Sequence, residues 1–167
     1  DDKNLLENPS FESAKKDKPS VWSGDGVVRN NDPRAHSGKY YLLSSTKKQK
    51  AVTSQTILVP ASYYNRIDEG GMSLYFGGFQ SGWKKQKDYG FILVAFYNND
   101  SKEIGSANTK GFYSNHRWVK RKGIVTVPKK TRFIGYAFVG TRQEGTNNDA
   151  YLDDAFLYLG EKEAETK

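Results

Sequence analysis

Segments with strand chemistry follow one another along almost the whole chain, and this constrains the fold more than any other feature. AVTSQTILVP (51–60), GMSLYFGGF (71–79), DYGFILVAFYN (88–98), KGIVTVP (122–128), TRFIGYAFVG (131–140) and AYLDDAFLYLG (150–160) are rich in aromatic and β-branched residues and bounded by turn formers. Alternation runs through them. Ile124, Thr126 and Pro128 oppose Val125 and Val127, while Leu152, Asp154, Phe156 and Tyr158 oppose Tyr151, Asp153, Ala155, Leu157 and Leu159. Asn98-Asn99-Asp100-Ser101, between FILVAFY and KEIGSA, predicts a hairpin. Only ASYYNRIDEGG (61–71) and the charged tail EKEAETK (161–167) leave room for helical turns. The spacing of strands and the lack of βα alternation predict an all-β fold, an antiparallel two-sheet β-sandwich with jelly-roll topology. It is expected to form one module over 1–160, followed by a fraying tail over 161–167.

A chain of 167 residues suffices for one domain with its own core. With no cysteine, disulfides, thiolate metal sites and a cysteine nucleophile are excluded. No apolar run approaches the length of a membrane helix, and DDKNLLENP lacks signal-peptide character, so the chain reads as a mature protein or an excised module. The net charge of +7 comes largely from Lys47-Lys48-Gln49-Lys50, Lys84-Lys85-Gln86-Lys87, Lys120-Arg121-Lys122 and Lys129-Lys130. Such clusters blunt sheet edges and also suit an anionic partner.

Catalytic patterns are weak. His36 and His116 lie in dissimilar loops, and no HExxH, GxSxG or Walker-type segment organises them. Asp153 and Asp154 are adjacent in a strand, which predicts carboxylates on opposite faces rather than a pair flanking one bond. Glu12, Asp25, Asp32, Asp153 and Asp154 are available to a hard cation, without an EF-hand loop. Aromatic residues make up 14% of the chain, enough to furnish both a core and a ligand surface. In LYFGGF, Tyr75, Gly77 and Phe79 share a face; in FIGYAF, Ile134, Tyr136 and Phe138 oppose Phe133, Gly135 and Ala137. Glycines beside rings leave room for a sugar whose C–H face stacks on the ring. Trp83, between glycine and two lysines, is expected on an exposed loop; Trp22 and Trp118 are expected to plug the ends of the sandwich.

NLLENPSFE followed by Trp22, then AHSGKYYL, Trp118 before a VTVP strand, and AYLDDAFLYL together resemble the galactose-binding-like jelly rolls typified by carbohydrate-binding modules of families four, nine and twenty-two. The sugar-binding domain attached to some F-box proteins is similar at NLL-N-P, and TRQEGTNNDAYLDD resembles the run into the last strand of secreted bacterial sandwich domains. The resemblance implies a structural Ca²⁺, with carboxylates from Glu12 and Asp153, or Asp154 in its place, and backbone carbonyls near Ser10 and Lys39. It implies a ligand site on one sheet face or at edge loops, for which Trp83, Tyr75, Tyr89, Tyr97 and Tyr136 are candidate rings and Gln80, Arg142, Gln143 and Asn147 candidate polar partners. The function expected is non-catalytic binding of a glycan or polysaccharide, acidic polymers included, by an extracellular or surface domain of a larger bacterial protein. No nucleic-acid partner and no membrane insertion are expected. The alternative is a structural or adhesive sandwich that binds protein.

Overall fold

The computed structural model describes residues 3–163. Twelve strands form: β1 (Ala14–Lys15), β2 (Lys18–Pro19), β3 (Ser23–Gly24), β4 (Val27–Arg29), β5 (Tyr41–Ser45), β6 (Lys50–Leu58), β7 (Met72–Ser81), β8 (Tyr89–Tyr97), β9 (Glu103–Asn108), β10 (Val119–Thr126), β11 (Phe133–Thr141) and β12 (Asn148–Glu161). β1 and β2 pair as a small hairpin; the others make two five-stranded antiparallel sheets, ordered β10-β7-β12-β5-β4 and β3-β6-β11-β8-β9. This is the expected jelly-roll β-sandwich. A 3₁₀ turn at Ala61–Tyr63 and a short helix α1 (Tyr64–Asp68) occupy the segment left open to helical turns. The hairpin at residues 98–102 joins β8 to β9, with Asn98 Oδ1 accepting the Asp100 and Lys102 amides. Of the expected tail, Glu161 ends β12, and residues 164–167 lie outside the described residues. Among the described residues no helix is long and apolar enough to cross a membrane.

The core follows from strand parity. Ile92, Val94 and Phe96 of β8 and Ile134, Tyr136 and Phe138 of β11 face Leu74 and Phe76 of β7 and Leu152 and Leu157 of β12. Each fully buried large apolar side chain contributes ~1.5–3 kcal/mol relative to leaving it exposed. Trp22 packs with Phe11 and Tyr136 at ring-centroid distances of 5.0 and 5.6 Å, inside the core rather than across its end.

One expected alternation fails. Between Asp153 and Phe156 the pairing of β12 with β7 shifts, and Asp154 takes φ +47°. This bulge inserts an extra residue, so Tyr151 and Asp153 share the outer face with Phe156 and Tyr158 instead of opposing them. It also overturns the separation expected for Asp153 and Asp154. Both carboxylates reach Ser37: Asp153 Oδ2 accepts its amide at 3.1 Å, and Asp154 Oδ1 accepts its hydroxyl at 2.6 Å.

Candidate functional site

The register of β6, β11 and β8 lays out their outer face in rows. Leu58, Phe133 and Tyr97 form one row; Thr56, Gly135 and Ala95 the next; then Ser54, Ala137 and Leu93; then Val52, Val139 and Phe91. Large side chains thus bracket small ones across three strands. The result is a trough of about 140 Å³ lined by Ser54, Thr56, Leu93, Ala95, Tyr97, Gly135 and Ala137, among others. A second hollow of about 230 Å³, between Thr56, Tyr97, Ser101 and Phe133, continues it past the Tyr97 ring. A Cβ at Gly135 would lie 3.4 Å from the Tyr97 ring, an ordinary contact distance, so the ring rests directly over this part of the floor. Carbon faces, a phenol and hydroxyls line both hollows, with no charged side chain among them.

The expected ring residues are scattered. Tyr97 lies in the trough. Tyr89, two rows beyond Leu93 on the same face, packs its ring against Gly111. Tyr136 borders the trough but is fully buried, with its hydroxyl donating to the Gly77 carbonyl at 2.7 Å, so its phenol belongs to the core. Gln80 is buried too, donating to the Gly90 carbonyl. Tyr75 is on the outer face of the opposite sheet, stacked on Tyr158 at 5.2 Å beside exposed Ile124.

Trp83 and the polar candidates gather at one end of the sandwich. Trp83 is half-buried rather than exposed: it packs on Tyr41, Leu43 and Tyr151, and its Nε1–H donates to Asp32 at 3.1 Å. Arg142 is spent on the carbonyls of Lys47 and Thr146. Gln143 and Asn147 are exposed on the 142–147 loop, which buried Asp88 ties down by accepting the amides of Gln143, Glu144 and Asp149. Beneath lies a polar core. Tyr151 donates to Asp149, and Arg29 donates to the Tyr151 hydroxyl and lies 3.5 Å from Asp149. Burial outweighs the Tyr151 hydrogen bond and raises the Asp149 carboxyl above its ordinary range. Above this core a pocket of about 480 Å³ opens between Trp83, Lys84, Lys85, Gln86, Asn115 and Glu144.

The residues expected around a cation lie at or beside the turn over residues 36–40. Glu12 accepts the amides of Lys39 and Tyr40 at 2.7 and 2.8 Å. Asp154 accepts the hydroxyls of Ser10 and Ser37 and contacts His36 Nδ1 at 2.5 Å. The His36 ring stacks on Phe79, 3.7 Å between centroids. Asp153 is fully buried, and desolvation, with a smaller contribution from the Asp154 charge, pushes its carboxyl up to about 7. All six carboxylate oxygens of Glu12, Asp153 and Asp154 already have hydrogen-bonding partners, so a hard cation would have to replace some of these contacts, and the charge it would relieve is that of buried Asp153 beside Asp154. Among the described residues no three acidic or histidine side chains form a ready cage, so an ion would draw on backbone carbonyls as well.

Sequence reasoning missed the small residues of the trough and the hydroxyls of Ser54 and Thr56. A signal was present: Gly135, Ala137 and Ala95 share an outward parity between large residues. It becomes legible only when strand pairing is known. Asn115, Gln86 and Glu144 carried no signal, because three separate loops supply the Trp83 pocket.

No protein-family model matches the chain, and no curated protein matches it in sequence. Solved structures share the fold. A family 61 carbohydrate-binding module in complex with β-1,4-galactotriose aligns with TM-score 0.57 at 20% identity, over 96% of this chain and 99% of that one. The CBM22-1 xylan-binding domain of Xyn10C from Paenibacillus barcinonensis aligns with TM-score 0.56 at 13% identity, over 98% and 97%. A cyclase from Fischerella sp. TAU aligns with TM-score 0.68 at 12% identity, over 98% and 100%. The chain therefore has the sandwich of the carbohydrate-binding modules, a frame that also carries an enzyme.

Proposed function

We propose that this domain is a non-catalytic carbohydrate-binding module that seats a neutral glycan in the trough across β6, β11 and β8. The observation that carries the reading is the trough itself, with its small floor, ring-bearing edges, hydroxyls and no charged side chain in the lining. A sugar ring buries its C–H face on such carbons and exchanges hydrogen bonds with the hydroxyls at the margin. The named ligands of two modules that share the fold, galactotriose and xylan, are of this neutral class. The lining offers no carboxyl, imidazole or amine to act as general acid or base, which favours binding over turnover. Only a few stacking contacts offset the ordering of the ligand, so affinity is modest.

The test is affinity electrophoresis in β-1,4-galactan and in xylan, with wild type and Tyr97→Ala. Retention by at least one polymer, weakened about tenfold or more in the variant, is expected, equivalent to ~1.4 kcal/mol. Absence of retention across a panel of neutral polymers, or retention indifferent to Tyr97, sinks the reading.

The same reading carries a structural Ca²⁺ held by Glu12 and by Asp153 or Asp154, with backbone oxygens near Ser10 and Lys39. Its chemistry would be to neutralise buried carboxylates. Glycan binding and calcium both suit an extracellular or surface setting within a larger bacterial protein.

A further inference from the structure

We infer that the end pocket at Trp83 is a second binding site, for a sugar residue that carries an anionic group, carboxylate or sulfate. It extends the glycan-binding reading but does not depend on the trough, which lies on a sheet face and has no charged lining. Two features argue for it.

The first is the contrast between frame and lining. Asp88, Arg142, Asn148 and Asp32 all hold loops or the indole in place, so the walls are fixed. Lys84, Lys85, Asn115 and Glu144 carry no side-chain hydrogen bond or ion pair among the described residues, and Gln86 Oε1 is buried without a partner. Polar side chains left unspent around a fixed hollow are available to a ligand. The second is the pairing of ring and charge. Lys84 Nζ lies over the Trp83 ring, 4.3 Å from its centroid, so the ammonium caps the indole and an anionic group that meets it lies beside the ring's edge. A pyranose ring bearing a carboxylate or sulfate presents that combination, a C–H surface with a charge at its edge. Its hydroxyls find amides in Gln86 and Asn115 and an acceptor in Glu144.

The pocket favours a sugar over a nucleic-acid strand. One ring in a hollow of about 480 Å³ accommodates a single residue rather than a run of stacked bases.

The experiment is isothermal titration of the whole domain with a short oligogalacturonate and with a κ-carrageenan oligosaccharide, a sulfated galactan free of carboxylate, at about 50 and 200 mM salt. Binding of either, weakening with salt, is expected; the preferred one assigns carboxylate or sulfate. Lys84→Gln/Lys85→Gln should weaken it about tenfold or more, and Trp83→Ala should remove it. Because Trp83 also packs against the fold, the lysine pair decides if that variant melts early. Lys120→Gln/Lys122→Gln removes the same charge from the outer face of β10 and should leave binding unchanged. Failure of both acidic sugars to bind, equal loss in the two lysine pairs, or equal binding of poly-dT would overturn the assignment. Retention in neutral galactan or xylan reports the trough alone, so the two proposals fail separately.

Discussion

Tyr97 and Tyr136 carry the same side chain on neighbouring strands, and parity alone gives them opposite work. Tyr97 points outward over Gly135. Tyr136 points inward, where its hydroxyl reaches the Gly77 carbonyl and burial raises its phenol pKa. Strand parity in FIGYAF was legible in the sequence; which parity met the core was not, because rings occupy both faces. A discriminating substitution is Tyr136→Phe. It leaves a buried carbonyl without its donor, which costs about 1–2 kcal/mol. The midpoint of denaturant unfolding should fall while retention in neutral glycan stays unchanged in the folded protein. Lost retention at unchanged stability would return this phenol to the ligand site.

Among the elements, the long strands were readable because each combines β-branched or aromatic residues with period-two patterning and turn formers at both ends. The edge pieces β1 to β4 were not, since two or three residues carry no period. The bulge in β12 was hidden for another reason: YLDDAFLYL alternates plausibly in either register, and only the partner strand reveals the inserted residue. That bulge meets the turn at residues 36–40, where Gly38 adopts φ +60° and a Cβ would lie 2.4 Å from Glu12 Oε1. Glycine is therefore required twice over, for its backbone angle and for the close carboxylate. Gly38→Ala is expected to cost about 1–3 kcal/mol. Thermal melts would show it, and faster exchange of the Lys39 and Tyr40 amides would place the damage at the turn. A variant as stable as wild type would mean that Glu12 does not hold this turn.

At the scale of the molecule, the turn is where distant parts of the chain meet. The chain start runs along the last strand, with Leu5 donating to the Leu157 carbonyl and Asn4 to that of Ala155. Glu12 then closes on the 36–40 turn from one side, Asp153 and Asp154 from the other, and Ser10 donates to Asp154. β12 sits between β5 and β7 in the middle of its sheet, so loosening this junction exposes a central strand rather than an edge. The segments that meet here were legible in the sequence through the family resemblance, whereas His36 joining Asp154 was not. A cation at this junction would couple three segments otherwise far apart in sequence, and its effect should be read in the cooperative unfolding of the whole domain. Calcium bound there, at about a hundred times its Kd, would add ~2.7 kcal/mol. For a domain of this size that amounts to a rise of roughly 5–10 °C in Tm. Chelator should lower Tm, calcium should restore it, and Asp153→Asn should blunt the response because the buried carboxylate it removes is the one an ion relieves most. Equal melting in chelator and calcium would mean that hydrogen bonds alone close the junction.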